Sequence, residues 1–523
     1  MSPLERHGKV RVQPRPLAIY ALPGKVSRMS RRPPFDLVAI ADETMERYGF
    51  APRFSGSVLK EVSAIDAEAV FAAQEEVCDL RDLLWSSIDN VDSQDLDQIE
   101  WCERGPENEI RVKVAIADVD VFVPKGSKTD RHAAHNGTSV YTGVRTYPML
   151  PDALSEGISS LLPDHDRRAV VIEYSVLPDG STRNGEIYPA LVRNKAKLVY
   201  EEIGAWLEGA GPRPDKVGKI PGLEEQLRLQ EEAAIRLRDH RMARGALDLE
   251  TIEARAVMEE EIVTDLVIQE KNLARSIIEE FMVAANGNMA DHLEQAGIPT
   301  IQRIVREPKY WDRIVDVAAE FGWTLPNNPD SMALSRFLAS RKDADPDSFP
   351  DLSLAIVKLM GPGEYVPLGP HGVPLGHFAL AVTDYTHSTA PNRRYVDIIN
   401  QRMIKAVIAG IESPYPFDEL SFRCAWLTDR DKAAQKVERF MRKAAAAVLL
   451  RNRIGEIFEA FVTGVTPHGT FVRLLSPPAE GRVMSGEHGL AVGQKIRVRL
   501  LKTDPYQGFV DFERVGKKGG HHQ

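Results

Sequence analysis

Cysteine is scarce in this chain: Cys78, Cys102 and Cys424 are the only three in 523 residues. They are odd in number and far apart, with no CxxC pair and no Cys/His metal spacing. That excludes a disulfide scaffold and a zinc-finger site, and it points to a reducing compartment. Long hydrophobic runs are missing too. The longest wholly apolar stretches, such as Ala444 to Leu450, fall far short of the roughly 18 residues a membrane-spanning helix needs. The first residues are rich in Arg and Pro and lack the apolar heart of a secretion signal. The expected location is the cytoplasm. Positive charge is also short, with 66 Lys and Arg against 76 Asp and Glu, a net charge of −10. Spread evenly, that deficit would argue against a nucleic-acid partner. It is not even: residues 1–32 carry eight Lys/Arg and one Glu, and residues 451–523 carry eleven Lys/Arg and seven Asp/Glu. The two ends are basic and the middle is acidic. Basic ends suit phosphate contact, although a charged first segment can equally be a solvated tail. The rest is ordinary, at 43% hydrophobic and 27% charged, and the length allows two to four domains with a large core.

The stretch around which the chain is organised is Ser87-Ile-Asp-Asn-Val-Asp-Ser-Gln-Asp-Leu-Asp97. It sets four aspartates, Asp89, Asp92, Asp95 and Asp97, into nine positions. Like charges this close repel and raise one another's pKa unless something positive sits among them. Carboxylates are hard oxygen donors, so the expected counter-charge is Mg²⁺ or Mn²⁺ rather than zinc. A solvated acidic loop is the plain alternative. Against it, Ile99 and then Arg111 to Val119 read as strand, so the aspartates lead into a buried sheet.

Read in order, residues 1–34 form a basic, proline-rich arm with one strand at Leu17 to Leu22. Residues 35–80 hold three short helices, at Asp36 to Tyr48, Ser57 to Val62 and Ala64 to Gln74, a small helical module that is winged-helix-like. Residues 83 to about 200 read as mainly strands and loops, with a hairpin about Pro178-Asp-Gly180. Leu223 to Arg244 and Asn272 to Met289 read as helices, with a strand at Glu250 to Met258 between them. Residues 292–362 read as mostly helical, Gly361 to Gly376 as loop, and 396–450 as nearly continuous helix broken near Gly410 to Pro416. From Ile454 the pattern changes to short strands, enough for a small OB barrel. The expected fold class is multidomain α+β: a mixed sheet packed with helices over 81–450, the helical module before it, a β-barrel over 452–515, and a flexible tail at 516–523.

Several motifs in order carry a family resemblance. They are Ile88-Asp89 with Asp95-Leu-Asp97, Ile116-Ala-Asp-Val119, Gly137-Thr-Ser-Val-Tyr141, Pro148-Met-Leu-Pro151, Glu279-Glu-Phe-Met282, His377-Phe378, and Tyr385-Thr-His-Ser-Thr-Ala-Pro-Asn-Arg-Arg-Tyr395 with Asp397. Together they resemble the RNB family, the catalytic fold of ribonuclease II and ribonuclease R. The tail, with Val462-Thr-Gly-Val-Thr466, His468-Gly-Thr-Phe-Val472 and Glu480-Gly481, resembles the OB-type RNA-binding domain of ribosomal protein S-one.

The resemblance implies a processive, hydrolytic 3′-to-5′ exoribonuclease. It would act on single-stranded RNA, release nucleoside 5′-monophosphates and work as a monomer with Mg²⁺ or Mn²⁺. It assigns Asp89, Asp95 and Asp97 to the metal and to catalysis, Asp97 being the most essential. Arg393 would fix the scissile phosphate, with an ion pair to Asp397 as its structural alternative and Arg394 as the structural arginine. Tyr141 would pack on the terminal base, against the alternative of a buried strand tyrosine. Glu438 and Glu280 resemble glutamates near the RNA 3′ end, and Glu280 could instead pair within the core. Phe458 and Phe471 could stack on bases, and Phe471 could equally be barrel core. His377 and His387 are expected to pack and to order loops.

Two departures stand out. Relatives usually begin with two cold-shock barrels, for which the residues before the aspartates are too few and too helical. Relatives also carry a fourth carboxylate after the third, where this chain has Gln98, which brings an amide oxygen but no charge. Asp92 could restore the charge, or simply be solvated. Gln98 keeps one rival open, an RNA-binding protein with a degenerate nuclease core. A phosphoesterase of small substrates is a second rival, but it leaves the barrel unexplained.

Overall fold

The computed structural model describes residues 35–72, 77–250, 253–259, 262–269, 271–346, 348–467 and 469–516. The arm expected at 1–34, the end of the helix expected over 64–74 and the tail beyond 516 lie outside the described residues.

A seven-stranded mixed sheet forms the centre. Its spatial order is Cys78–Asp79, Thr182–Arg193, Asp166–Val176, Ile110–Ala117, Gln98–Arg104, Ser86–Asp89 and Ala196–Val199. The two outermost pairs are parallel and the inner ones antiparallel. Ile110, Val112, Val114, Ala115, Ile116 and Ala117 are all buried, which is what a strand covered on both faces requires. The expected hairpin joins the two longest strands, and Gly180 in its turn has φ +80°. A Cβ there would meet the Arg236 carbonyl oxygen at 2.0 Å, so the turn needs glycine both for its backbone and for space. The helix Leu223–Ala243 is tied to the sheet beyond the point where Ser86 ends the pairing of the neighbouring strand. There the Gln226 amide accepts the Cys102 N–H (3.0 Å) and donates to the Cys102 carbonyl (2.7 Å).

The helix Phe417–Leu450 is the spine. At 1.5 Å per residue its 34 residues run about 51 Å. Near its middle Arg430 donates to the carbonyls of Tyr48 and Gly49 and lies over the Phe50 ring, docking the helical module. That module holds the helices Leu37–Arg47, Gly56–Ser63 and Ala67–Ala72, the first two capped by Asp36 and Ser55. One apolar cluster joins Leu37, Ile40 and Met45 of the module, Val437, Met441 and Leu450 of the spine, and Val462, Val472 and Phe512 of the barrel.

The barrel is closed by five strands in the order Ile457–Thr466, Gly469–Leu474, Glu480–Ser485, Phe509–Arg514 and Lys495–Asp504. Closure removes the free edges that short strands would otherwise expose. A buried ion pair fastens the barrel to the helix Phe349–Met360. Arg473 reaches Asp351 through Nε (3.1 Å) and Nη2 (2.8 Å), and both side chains are buried.

Two local expectations need correction. Gly361 to Gly376 is not all loop, because Glu364–Leu368 pairs antiparallel with Thr300–Ile304. The partner lies some sixty residues away, so no local pattern announces the strand, and Pro367 is tolerated in a ribbon of two edges. The strand-and-loop region also contains the helix Lys128–Asn136 and a π-helical turn at Ala153–Ile158. The helix is polar and short, and part of its support comes from elsewhere. Glu61 accepts the free N–H groups of Lys128 (3.0 Å) and Thr129 (2.9 Å). Burial raises the Glu61 pKa, but these bonds and the Thr129 hydroxyl more than offset it and hold the carboxyl down at about 2. The strand expected at Glu250 to Met258 is present at Glu253–Glu259, where it forms a ribbon with Ile262–Gln269.

Candidate active site

Asp89 ends one central strand and Gln98 opens its antiparallel neighbour. The loop between them therefore returns the chain to the same end of the sheet, carrying Asp95 and Asp97 back beside Asp89. Side chains from elsewhere fix its shape. Ser160 Oγ accepts the Leu96 N–H (2.9 Å) and donates to the Gln94 carbonyl (2.6 Å). Leu96 is wholly buried and anchors the segment between the two aspartates. Asp89 Oδ1 accepts the Ser93 hydroxyl (2.6 Å) and the Asn90 N–H (2.9 Å). Asp92 lies at the exposed part of the loop.

Backbone stitching brings the other groups to this loop. Ser139 N–H and the Thr138 hydroxyl both donate to the Arg393 carbonyl (2.9 and 3.0 Å), and Tyr395 N–H donates to the Gly137 carbonyl (2.9 Å). The segments leading to Tyr141 and to Arg393 are thus laced together. Asn392 N–H donates to Asp97 Oδ1 (2.8 Å), and Arg393 Nε stands 3.3 Å from Asp97 Oδ2. Tyr141 donates its hydroxyl to Asp95 Oδ2 (3.1 Å) and its N–H to Glu438 Oε1 of the spine (3.1 Å). Arg394 takes the structural place instead, with Nε and Nη2 on the two oxygens of Asp397 (2.9 and 2.8 Å). Arg393 remains 44% exposed beside an aspartate that is 3% exposed, and Tyr141 is 42% exposed.

Burial pushes the pKa of Asp97 up to about 8. Arg393 and the Asn392 N–H oppose that rise, while Asp95 and Asp397 add to it. Asp95 is raised as well, first by burial and in smaller part by Asp89, against Tyr141 and Arg393. Burial disfavours the ionised form of both carboxylates, and a cation beside them would favour it. A hard divalent cation fits carboxylate oxygens as donors. Among the described residues no group of three His, Cys, Asp or Glu side chains forms a ready ligand cluster.

Asp89, Asp95, Asp97, Arg393, Tyr141 and Glu438 therefore come together from distant parts of the chain. Three expected RNA contacts stand elsewhere. Glu280 is 3% exposed and accepts Arg241 Nε at 2.9 Å, so in this structure it forms a buried ion pair rather than an RNA-facing group. Phe458 is 6% exposed in the barrel core with Arg453 over its ring. Its side chain alternates inward and offers no stacking face. Phe471 lies on the partly exposed side of its strand, opposite the exposed Arg482. His387 meets the Tyr365 hydroxyl (2.8 Å), and its pKa is held well below the usual value by burial and then by Arg394, as a packing histidine should be. The reading of the sequence gave no role to Asn392 or Ser159. The motif contains Asn392, but only the fold brings it to Asp97.

A mixed sheet that carries Asp89, Asp95 and Asp97 beside the exposed Arg393 and Tyr141 is joined to a closed five-stranded barrel of the OB type. The RNB domain profile matches residues 77–410, and the profile described as RNase II-type exonuclease C-terminal S1 domain matches 456–515. The chain belongs to the RNB family of 3′-to-5′ exoribonucleases. It is 30% identical over 532 aligned positions to ribonuclease R of Aquifex aeolicus, covering 95% of this chain and 73% of that protein. It is 28% identical to ribonuclease R 1 of Lactococcus lactis, covering 90% of this chain and 60% of that protein. Its fold matches Mycoplasma genitalium RNase R, solved in complex with ribose-methylated single-stranded RNA. The TM-score is 0.81 at 23% identity, over 92% of this chain and 78% of the other. No helix among the described residues is long and apolar enough to cross a membrane.

Proposed function

We propose that the chain is a processive exonuclease that hydrolyses single-stranded RNA from the 3′ end and releases nucleoside 5′-monophosphates in the cytoplasm. The observation that carries this reading is the pairing of the buried Asp97 with the exposed Arg393, beside Asp95 and Tyr141. Asp89, Asp95 and Asp97 would hold Mg²⁺ or Mn²⁺, which when bound supplies charge neutralisation at the phosphate and a water of lowered pKa. Arg393 holds the scissile phosphate through its planar fork, which suits two phosphate oxygens at once. Asp97 orients that fork from below. Tyr141 carries the terminal base on its exposed ring, and Glu438 fixes the backbone under it. Water adds to phosphorus, the bond to the 3′ oxygen of the preceding nucleotide breaks, and that oxygen leaves as a hydroxyl after taking up a proton. The cleaved residue departs with its 5′ phosphate. The barrel, with Phe471 beside Arg482, guides the strand. The rival with a degenerate core requires a chain that binds RNA and leaves it intact in Mg²⁺ and Mn²⁺.

Tyr141→Ala tests the assignment at the terminal base. It removes the stacking face, worth about 1–3 kcal/mol per base. The limiting product should become longer by gel analysis of a labelled oligonucleotide, while hydrolysis of long RNA continues. An unchanged product ladder would count against the stacking role.

A further inference from the structure

Tyr141 stands on a very small ribbon. Among the described residues, Val140–Tyr141 pairs with Thr146–Tyr147 and with no other strand. Isolated two-stranded hairpins are marginal in water, so the direction of the Tyr141 ring depends on what grips the ribbon from outside. The spine grips the first strand, where Glu438 accepts the Tyr141 N–H (3.1 Å). The helical module grips the second. Tyr147 is buried and donates its hydroxyl to Asp42 Oδ1 (2.6 Å), on the helix Leu37–Arg47. Arg145 Nη1 stands 3.8 Å from the same oxygen, and Arg53 Nη2 holds the other at 2.9 Å. Burial raises the pKa of Asp42, but the Tyr147 hydroxyl and Arg53 more than offset it. An ionised acceptor makes the stronger hydrogen bond. Val140 and Tyr147 also share an apolar cluster with Leu37, Ile40 and Ala41 of that helix. The module has its own anchors on the catalytic body. The Asn136 amide accepts the Ala51 N–H (2.9 Å) and donates to the Ala51 carbonyl (3.0 Å), and Arg430 binds the carbonyls of Tyr48 and Gly49. Loss of Asp42 alone therefore leaves the module docked.

Resting on the reading that Tyr141 carries the terminal base, we infer that Asp42 is a positioning residue of the RNA 3′-end site. It holds the Tyr147 strand, and the register of the ribbon passes that hold to Tyr141. The helical module thereby takes part in fixing the terminal base without touching RNA.

The test measures KM, kcat and the limiting product of the full chain on a short single-stranded oligoribonucleotide with Mg²⁺. Circular dichroism of each variant checks that it is folded. Asp42→Ala should raise KM roughly 3- to 10-fold, a fraction of what loss of a stacked base costs. Its kcat should change little, since binding rather than the reacting centre is touched, and its limiting product should lengthen as in Tyr141→Ala. Tyr147→Phe removes only the hydroxyl and should act in the same direction, which keeps the test decisive if Asp42→Ala does not fold. Asp42→Asn keeps an acceptor oxygen and should lie between the wild type and Asp42→Ala. In a Tyr141→Ala background, Asp42→Ala should add nothing, because a positioning residue acts only through the ring it positions. A merely structural role would add its loss in both backgrounds, and that result overturns the inference. If Tyr141→Ala lengthens the limiting product while folded Asp42→Ala and Tyr147→Phe keep the wild-type KM and ladder, this inference alone fails. If Tyr141→Ala itself leaves the ladder unchanged, the stacking reading fails and this inference falls with it.

Discussion

Asp97→Asn should lower turnover on RNA by roughly 100- to 1000-fold, the loss typical when a preorganised charged or hydrogen-bonding group is removed from a reacting centre. The side chain keeps its size, and Oδ1 can still accept the Asn392 N–H. What goes is the negative charge that faces Arg393 at 3.3 Å and would bind the cation. Each tenfold corresponds to about 1.36 kcal/mol of lost transition-state stabilisation. RNA binding should be largely spared, because Arg393, Tyr141 and the barrel stay in place. Single-turnover rates on a saturating oligonucleotide, set beside equilibrium binding of the same oligonucleotide, separate the two effects. A variant that keeps its turnover would remove Asp97 from catalysis altogether.

The second large effect concerns stability. Arg473→Met should destabilise the folded chain by about 3–5 kcal/mol, because it leaves Asp351 buried without its cation. The pair is a buried charge contact between the barrel and the helix Phe349–Met360. Its removal strands a carboxylate rather than merely deleting a bond. Replacing both partners, as in Arg473→Met with Asp351→Leu, should restore most of the lost stability, since a buried ion pair exchanged for apolar groups is often neutral. Urea unfolding midpoints of the wild type, the single variant and the double variant decide it. A double variant no more stable than Arg473→Met would mean that the barrel depends on the charges themselves.

How much of this was legible in the sequence depends on how local each signal is. The spacing of Asp89, Asp95 and Asp97 pointed to a carboxylate site, whereas the role given to Arg393 came from the family resemblance of the run around it. The barrel strands were legible from short alternating segments between turns. Glu364–Leu368 was not, since its partner Thr300–Ile304 is remote and its own composition is that of a loop. The helix Lys128–Asn136 was hidden because Glu61, far earlier in the chain, supplies part of its cap. The inward turn of Phe458 and the ion pair of Glu280 depend on which face of an element is covered, and a short motif does not say. Asn392 lay inside the clearest motif. Its backbone N–H reaches Asp97 across 295 residues of sequence, a contact that only the fold supplies.

The central claim is that this site removes nucleotides from the 3′ end by hydrolysis. Single-stranded RNA carrying a label on its 5′ end, and the same RNA labelled on its last nucleotide, should be incubated in parallel with the chain and Mg²⁺. The first should shorten toward a small limiting fragment that keeps the label, without intermediates for a processive enzyme. The second should release its label as a nucleoside 5′-monophosphate at the earliest time points. Both should stay intact with Asp97→Asn over the same interval. Label released as a mononucleotide from the 5′-labelled strand, internal cleavage products, or RNA bound but unshortened with Mg²⁺ and with Mn²⁺ would contradict the account.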